Sequence, residues 1–162
     1  MSLLKENISF VVVCYKSSAA LKSLLISIPK ELEVVLVDNS NDKETSEIAN
    51  SYDCTLIQNQ ENIGYGAACN LGAEKASGTY LLFINPDSEL KPETLNELIK
   101  AADNYPSASA FNPKIIGRSG KQSFKRRSVL LQKSEWMSRK FPESDKEVSV
   151  LSGAAIFIKK EN

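Results

Sequence analysis

Histidine is absent from this chain of 162 residues. That absence removes Ser/His and Cys/His nucleophile pairs, H-E-x-x-H metal sites and imidazole general bases together, so any chemistry must run on carboxylates, a bound metal ion, lysines or backbone dipoles. Cysteine is scarce. Cys14, Cys54 and Cys69 are odd in number and lack C-x-x-C spacing, which speaks against a disulfide framework or a zinc site and reads as buried, reduced thiols. Net charge is missing as well, with Lys+Arg 20 against Asp+Glu 20. No bulk field draws the chain to nucleic acid, and an anionic ligand must be held locally. The apolar runs are far short of a membrane span, and Met1-Ser-Leu-Leu-Lys-Glu6 lacks the layout of a signal peptide, so a cytoplasmic protein is expected. Neither G-x-G-x-x-G after the first strand nor G-x-x-x-x-G-K-[ST] occurs, which disfavours a dinucleotide or P-loop site.

What is present is a strand-helix alternation. At 42% hydrophobic the chain can close one core but hardly two, so a single domain over 1–162 is expected. Ile8 to Cys14 reads as a first strand, followed by a helix capped by Ser17 or Ser18 with Leu21, Leu24, Leu25 and Ile28 at i, i+3, i+4, i+7 and ended by Pro29. Val34 to Val37 is a second buried strand, and Thr45, Ile48, Ala49 and Tyr52 mark a short amphipathic helix. Thr55 to Ile57 is a third strand. An Asn- and Gly-rich loop, Asn59 to Gly66, leads into a helix of small residues from Ala67 to Ala76 that Gly78 is expected to stop. Strands alternating with helices specify a mostly parallel sheet.

The run Tyr80 to Ile84 has no alternation, as expected of a central strand buried on both faces, and it stops on Asn85-Pro-Asp87. In an open α/β sheet ligands bind outside the carboxyl ends of the strands, which makes Asp87 a candidate metal or phosphate-site residue. The competing reading is a helix-start turn in which Asp87 or Ser88 caps a helix with Pro92 in its first turn, spanning roughly Pro92 to Asp103. Beyond Tyr105-Pro106 the rhythm changes. Ala108 to Phe111 reads as a strand, Lys114 to Phe124 as a hairpin turning at Arg118-Ser-Gly-Lys121, Val129 to Pro142 as a flap, and Val148 to Ile158 as a closing strand interrupted at Ser152-Gly153. This divides the chain into two halves, 8–104 and 105–162.

Four pieces in order, Phe10-Val-Val-Val-Cys-Tyr15, Val35-Leu-Val-Asp-Asn-Ser40, Asn62-Ile-Gly-Tyr-Gly-Ala-Ala-Cys-Asn-Leu-Gly72 and Gly78-Thr-Tyr-Leu-Leu-Phe-Ile-Asn-Pro-Asp87, resemble the family 2 glycosyltransferases of GT-A fold. Asn-Pro-Asp and Phe111-Asn-Pro-Lys-Ile115 look most like the rhamnosyltransferase-type branch. The resemblance implies a three-layer α/β sandwich, in which 8–104 would be the nucleotide-binding half and 105–162 an incomplete acceptor-side half. It also implies inverting, metal-dependent transfer of a sugar from a dTDP- or UDP-linked donor to a saccharide or lipid-linked acceptor, in cell-surface polysaccharide synthesis. Tyr15 would lie against the nucleobase and Asp38 would accept from base or ribose, with Asn39, Tyr65 and Asn70 as further nucleotide contacts. Gly64 and Gly66 would let backbone approach the nucleotide.

On the same resemblance Asp87 would bind Mg²⁺ or Mn²⁺ shared with the diphosphate, while Asn85, where the family more usually has an acid, would orient the sugar or a metal-bound water. Bottom-up alternatives stay open beside these roles: a sheet-edge aromatic for Tyr15, a turn-forming residue for Asp38 and a helix-entry turn for the glycines. The base of the resembled family lies in an acidic segment after the closing strand. Glu161 is too close to that strand to match, so no base is assigned, and a truncated product that binds nucleotide-sugar without turnover is the alternative function. Glu89, Glu143 and Asp145 are the fallback bases. Lys125-Arg126-Arg127 is read either as a contact for a lipid-linked acceptor at the inner face of the membrane or as a solvated hairpin end.

Overall fold

The computed structural model describes residues 7–117, 119, 120, 122, 123 and 143–160. Its first part is β1 (Ile8–Cys14), α1 (Ser18–Ser27), β2 (Glu33–Asp38), α2 (Lys43–Ser51), β3 (Thr55–Gln58), α3 (Tyr65–Lys75), β4 (Tyr80–Ile84) and α4 (Thr94–Asn104). Then come β5 (Ala110–Phe111), β6 (Ile115–Ile116), β7 (Gln122–Ser123) and β8 (Ala155–Lys159). Among the described residues the main sheet runs β3-β2-β1-β4-β8-β5. β1 pairs in parallel with β2 and with β4, and β2 with β3, while β8 is antiparallel to both β4 and β5. The sheet is thus mixed but mostly parallel, as the alternation of elements demands.

All seven residues of β1 are buried, because helices cover both faces of the sheet. On one face Phe10, Val12, Leu36 and Leu82 pack with Leu21, Leu24 and Leu25 of α1, Ile48 of α2 and Leu95, Leu98 and Ile99 of α4. On the other, Val11 and Val35 meet Ala76 at the end of α3, and Val13 and Val37 meet Ala68. The strand period of two sends odd and even positions of β1 to opposite layers. Small residues let α3 lie close. A Cβ built on Gly72 would stand 2.4 Å from Val11 Cγ1.

Several boundaries differ from the sequence reading. α3 starts at Tyr65, because Gly64 takes φ +86 as its N-cap, and Gly66 lies inside the helix rather than in the loop. The helix ends at Lys75 on an extended Ala76, so Gly78 does not stop it. Glycine is required at 78 for another reason: a Cβ there would stand 2.7 Å from the Asn7 carbonyl oxygen and 2.8 Å from Ser9 N. The N-cap of α4 is Glu93, so neither Asp87 nor Ser88 caps it and Pro92 precedes it.

The expected closing strand contracts to Ala155–Lys159 and the strand at 108–111 to Ala110–Phe111. The hairpin is present as a β6–β7 ladder pairing Ile115 with Ser123. Arg118, Lys121, Phe124, the basic cluster Lys125-Arg126-Arg127, the flap from Val129 to Pro142 and Glu161 lie outside the described residues. Among the described residues no helix is long and apolar enough to cross a membrane.

Candidate active site

The strand order turns at β1. Successive strands step from β1 outward to β2 and β3, and the chain then returns to place β4 on the other side of β1. The crevice of such a sheet opens at the carboxyl ends of the two strands that flank this reversal. Tyr15 directly follows β1, whose pairing with β2 ends at Cys14, and Asn85-Pro86-Asp87 directly follows β4 at Ile84. Sequence and topology therefore bring the aromatic and the tripeptide to one edge of the sheet.

The tripeptide is a built corner. Ser88 N donates to the Asn85 carbonyl oxygen at 3.1 Å, closing a turn with Pro86 at its second position, where the fixed φ of proline is already correct. Asn85 N donates to the Ala154 carbonyl oxygen at 3.0 Å, tying the corner to the residues entering β8. Asn85 and Pro86 are half-buried, and Asp87 is exposed. The sequence-level alternative for Asp87, a helix cap, is removed by this geometry.

Asp38 is wholly buried, at 0% exposure. Its Oδ1 accepts from Ser40 N at 2.9 Å and from the Ser40 hydroxyl at 2.6 Å, and its Oδ2 accepts from Asp42 N at 2.7 Å. The structure thus shows the turn-forming role, with the carboxylate directed into its own loop. Asn39 is buried too and serves as a hub. Its Nδ2 donates to Asn62 Oδ1 at 3.2 Å and to the Gly64 carbonyl oxygen at 3.3 Å, while its Oδ1 accepts from Asn59 Nδ2 at 2.7 Å. These amides hold the loop that sets Gly64 and launches α3.

Tyr15 is 50% exposed, and the Lys16 ammonium stands 5.5 Å from its ring centroid. Lys16 has φ +51, and its N–H donates to the Ser40 hydroxyl oxygen at 3.2 Å, so the ends of β1 and β2 are joined through Ser40. Tyr65, at the first turn of α3, is 46% exposed and its hydroxyl lies 3.5 Å from the Gly153 carbonyl oxygen. Partial burial, with Cys69 beside it, pushes this phenol up to about 12. Asn70 is exposed on α3, about 200° around the helix from the sheet-packed Ala68.

A depression of about 380 Å³ adjoins the ends of β1 and β2, lined by Lys16, Ser18, Ser40, Asn41, Asp42, Lys43 and Glu44. Asn85 and Asp87 are not part of it. Of the fallback bases, Glu89 is exposed and paired with Lys91 at 3.3 Å, and Glu143 and Asp145 are exposed.

Sequence reasoning missed Ser40, Lys16, Asn62, Asn112 and the turn at Ser152–Ala155. For Asn59 and Asn62 the signal was the density of Asn in one loop. For Asn112 the local sequence gives none, since its partners are forty residues away.

A hard divalent cation requires oxygen ligands, and at diphosphate sites it often uses only one or two protein carboxylates beside phosphates and water. Asp87 with the neighbouring Asn85 amide fits such a shared site. It does not fit a protein-only cage, since no group of three or more His, Cys, Asp or Glu residues that could hold a metal ion occurs among the described residues.

The model of glycosyl transferase family 2 matches residues 9–161. The chain belongs to that family. A hexosyltransferase of low-salt glycan biosynthesis, Agl10 of Haloferax volcanii, is 31% identical over 121 residues, covering 71% of this chain and 38% of its own length. Of the solved structures, S. aureus TarS 1–349 in complex with UDP-GlcNAc superimposes with a TM-score of 0.60 at 24% identity, covering 93% of this chain and 44% of that one. The mannosyltransferase PcManGT of Pyrobaculum calidifontis, in complex with GDP-Man and Mn²⁺, superimposes with a TM-score of 0.58 at 22% identity, covering 64% and 34%. At these identities the structures establish the fold alone, and it is the GT-A α/β architecture expected from the sequence. The family 2 chain described here spans well under half the length of the curated relatives it matches.

Proposed function

We propose that this family 2 domain binds a nucleotide-diphosphate sugar at the Tyr15–Asp87 edge and serves inverting transfer of the sugar to a saccharide or lipid-linked acceptor. One observation carries the reading: Asp87 is an exposed carboxylate on a turn closed by its own Ser88–Asn85 bond and tied to the segment entering β8, at the switch point of a mostly parallel sheet. Mg²⁺ or Mn²⁺ at Asp87 would neutralise charge on the leaving diphosphate. The half-exposed Tyr15 ring offers a surface for the nucleobase, where stacking is worth about 1 to 3 kcal/mol. Asp38 and Asn39 act from beneath, by shaping the loops, and Tyr65 closes the α3 side. The relative bound to GDP-Man and Mn²⁺ supports a divalent cation, and the resemblance of the Asn-Pro-Asp form to the rhamnosyltransferase-type branch supports a dTDP- or UDP-linked donor, such as a rhamnosyl one.

Titration calorimetry with UDP, dTDP and GDP, with and without Mn²⁺, tests the site. One diphosphate should bind, and more tightly with metal. Asp87→Ala should abolish the metal-dependent gain and leave metal-free binding intact. Folded protein that gives no heat with any of the three in the presence of Mn²⁺ would refute the assignment.

A further inference from the structure

We propose that Asn112 is the positioning residue of the Asn85–Asp87 corner, acting through the Ser152–Ala155 turn; this rests on the reading of that corner as the diphosphate site. Asn112 directly follows β5, whose pairing with β8 reaches only Phe111 opposite Phe157. Backbone pairing on that edge stops there, yet the residues before β8 must still be held. The Asn112 side chain takes over. Its Nδ2 donates to the Ser152 carbonyl oxygen at 3.1 Å and also to the Ala155 carbonyl oxygen, and its Oδ1 accepts from Ser152 N. Both amide hydrogens and one lone pair of the amide oxygen are thus spent on one turn, three of the four hydrogen bonds open to a primary amide.

The other side of that turn faces the functional corner. Ladder pairing between β4 and β8 ends at Ile84 opposite Ala155, and one residue further the Ala154 carbonyl oxygen accepts from Asn85 N at 3.0 Å. Asn85 in turn accepts from Ser88 N and so closes the turn that presents Asp87. A chain of bonds therefore runs Asn112, Ser152–Ala155, Asn85, Ser88. Tyr65 touches the same turn only through its hydroxyl at 3.5 Å, too long to fix it alone. If the turn relaxes, Asn85 loses the acceptor that holds it, and the carboxylate one proline further on loses its fixed base.

Two variants test this. Asn112→Ala removes all three bonds, and Asn112→Asp keeps the shape and the acceptor but sets a carboxylate against two carbonyl oxygens. Amide hydrogen exchange is the first readout: exchange at Asn85 and Ser88 should rise at least ten-fold in both variants while Val12 and Leu36 in the central strands hold their protection. The second is UDP affinity with and without Mn²⁺, where the metal-dependent gain should fall at least five-fold with little change in metal-free binding. Unchanged exchange at Asn85, or acceleration spread evenly over the sheet, overturns the proposal. So does an intact metal-dependent gain beside a loosened corner. If the unaltered protein shows no metal-dependent gain with any diphosphate, the donor-site reading falls, and the exchange measurement still decides whether Asn112 holds the corner.

Discussion

Ser40 donates to Asp38 twice, from its backbone N–H at 2.9 Å and from its hydroxyl at 2.6 Å, and the same hydroxyl oxygen accepts from Lys16 N at 3.2 Å. One small side chain therefore joins the ends of β1 and β2 and helps to hold a carboxylate in a site with no solvent. Ser40→Ala should cost about 1 to 3 kcal/mol of stability, the penalty for leaving buried polar groups without partners, as read from denaturant midpoints. A neutral Ser40→Ala would mean that water replaces the hydroxyl.

Gly78 and Gly66 separate two uses of glycine. At Gly78 a Cβ would press on Ser9 Oγ at 2.6 Å and on the backbone of Asn7 and Ser9 at 2.7 and 2.8 Å, whereas at Gly66 it would meet nothing within 4 Å. Gly78→Ala should destabilise by about 1 to 3 kcal/mol, because two of the three nearest neighbours are main chain and cannot rotate away. Gly66→Ala, inside α3, should be neutral or stabilise by up to about 1 kcal/mol through helix propensity. Thermal unfolding of the two variants side by side is the measurement, and equal losses would contradict the packing described.

The parallel layers were legible because their signal is local. Continuous apolar runs at 8–14 and 80–84 and the helical spacing of Leu21, Leu24 and Leu25 each follow from burial on a known period. That Tyr15 and Asn85-Pro86-Asp87 stand just past strand ends was legible as well, since the ends of apolar runs are readable. Asp38 was read only as one of two alternatives, because its burial depends on how Ser40 and Asp42 fold back over it. The phase of α3 was not legible, and Ala68 and Gly72 set it against the sheet. Asn112 was invisible, since its partners at Ser152 and Ala155 come from a distant segment whose course no periodicity describes.

The cysteines carry a reactivity prediction. Burial pushes the Cys14 thiol up to about 12 and the Cys54 thiol up to about 11, and it raises Cys69 as well, which is half-buried like Cys54. The thiolate is the reactive form, so at pH 8 all three should react slowly in the native protein, with Cys14 slowest. Thiol titration with and without denaturant checks this. A rapidly reacting Cys14 in folded protein would contradict its place under α1.

Glu33, at the start of β2, fastens the opposite end of the sheet. Its Oε2 accepts from the Ser9 hydroxyl, from Ser77 N at 2.7 Å and from the Ser77 hydroxyl at 3.0 Å, while the Ser9 hydroxyl oxygen accepts from Gly78 N at 2.8 Å. Burial works against the charged form, but these donors outweigh it, and the carboxyl is held below the ordinary glutamate value. A depressed folded-state value means that the unfolded chain binds the proton first as pH falls. The stabilisation is therefore present in full above the ordinary value of about 4.3 and drains away as pH drops through the lower, folded-state value. The melting temperature of the native sequence should fall more steeply than that of Glu33→Gln between about pH 5 and pH 3, and the two curves should converge in acid. Glutamine keeps an acceptor oxygen, so the difference between the curves reports the charge and not the mere presence of a hydrogen bond. Parallel curves across that range would show that the Ser9 and Ser77 donors do not favour the carboxylate, and that the fastening is one of shape alone.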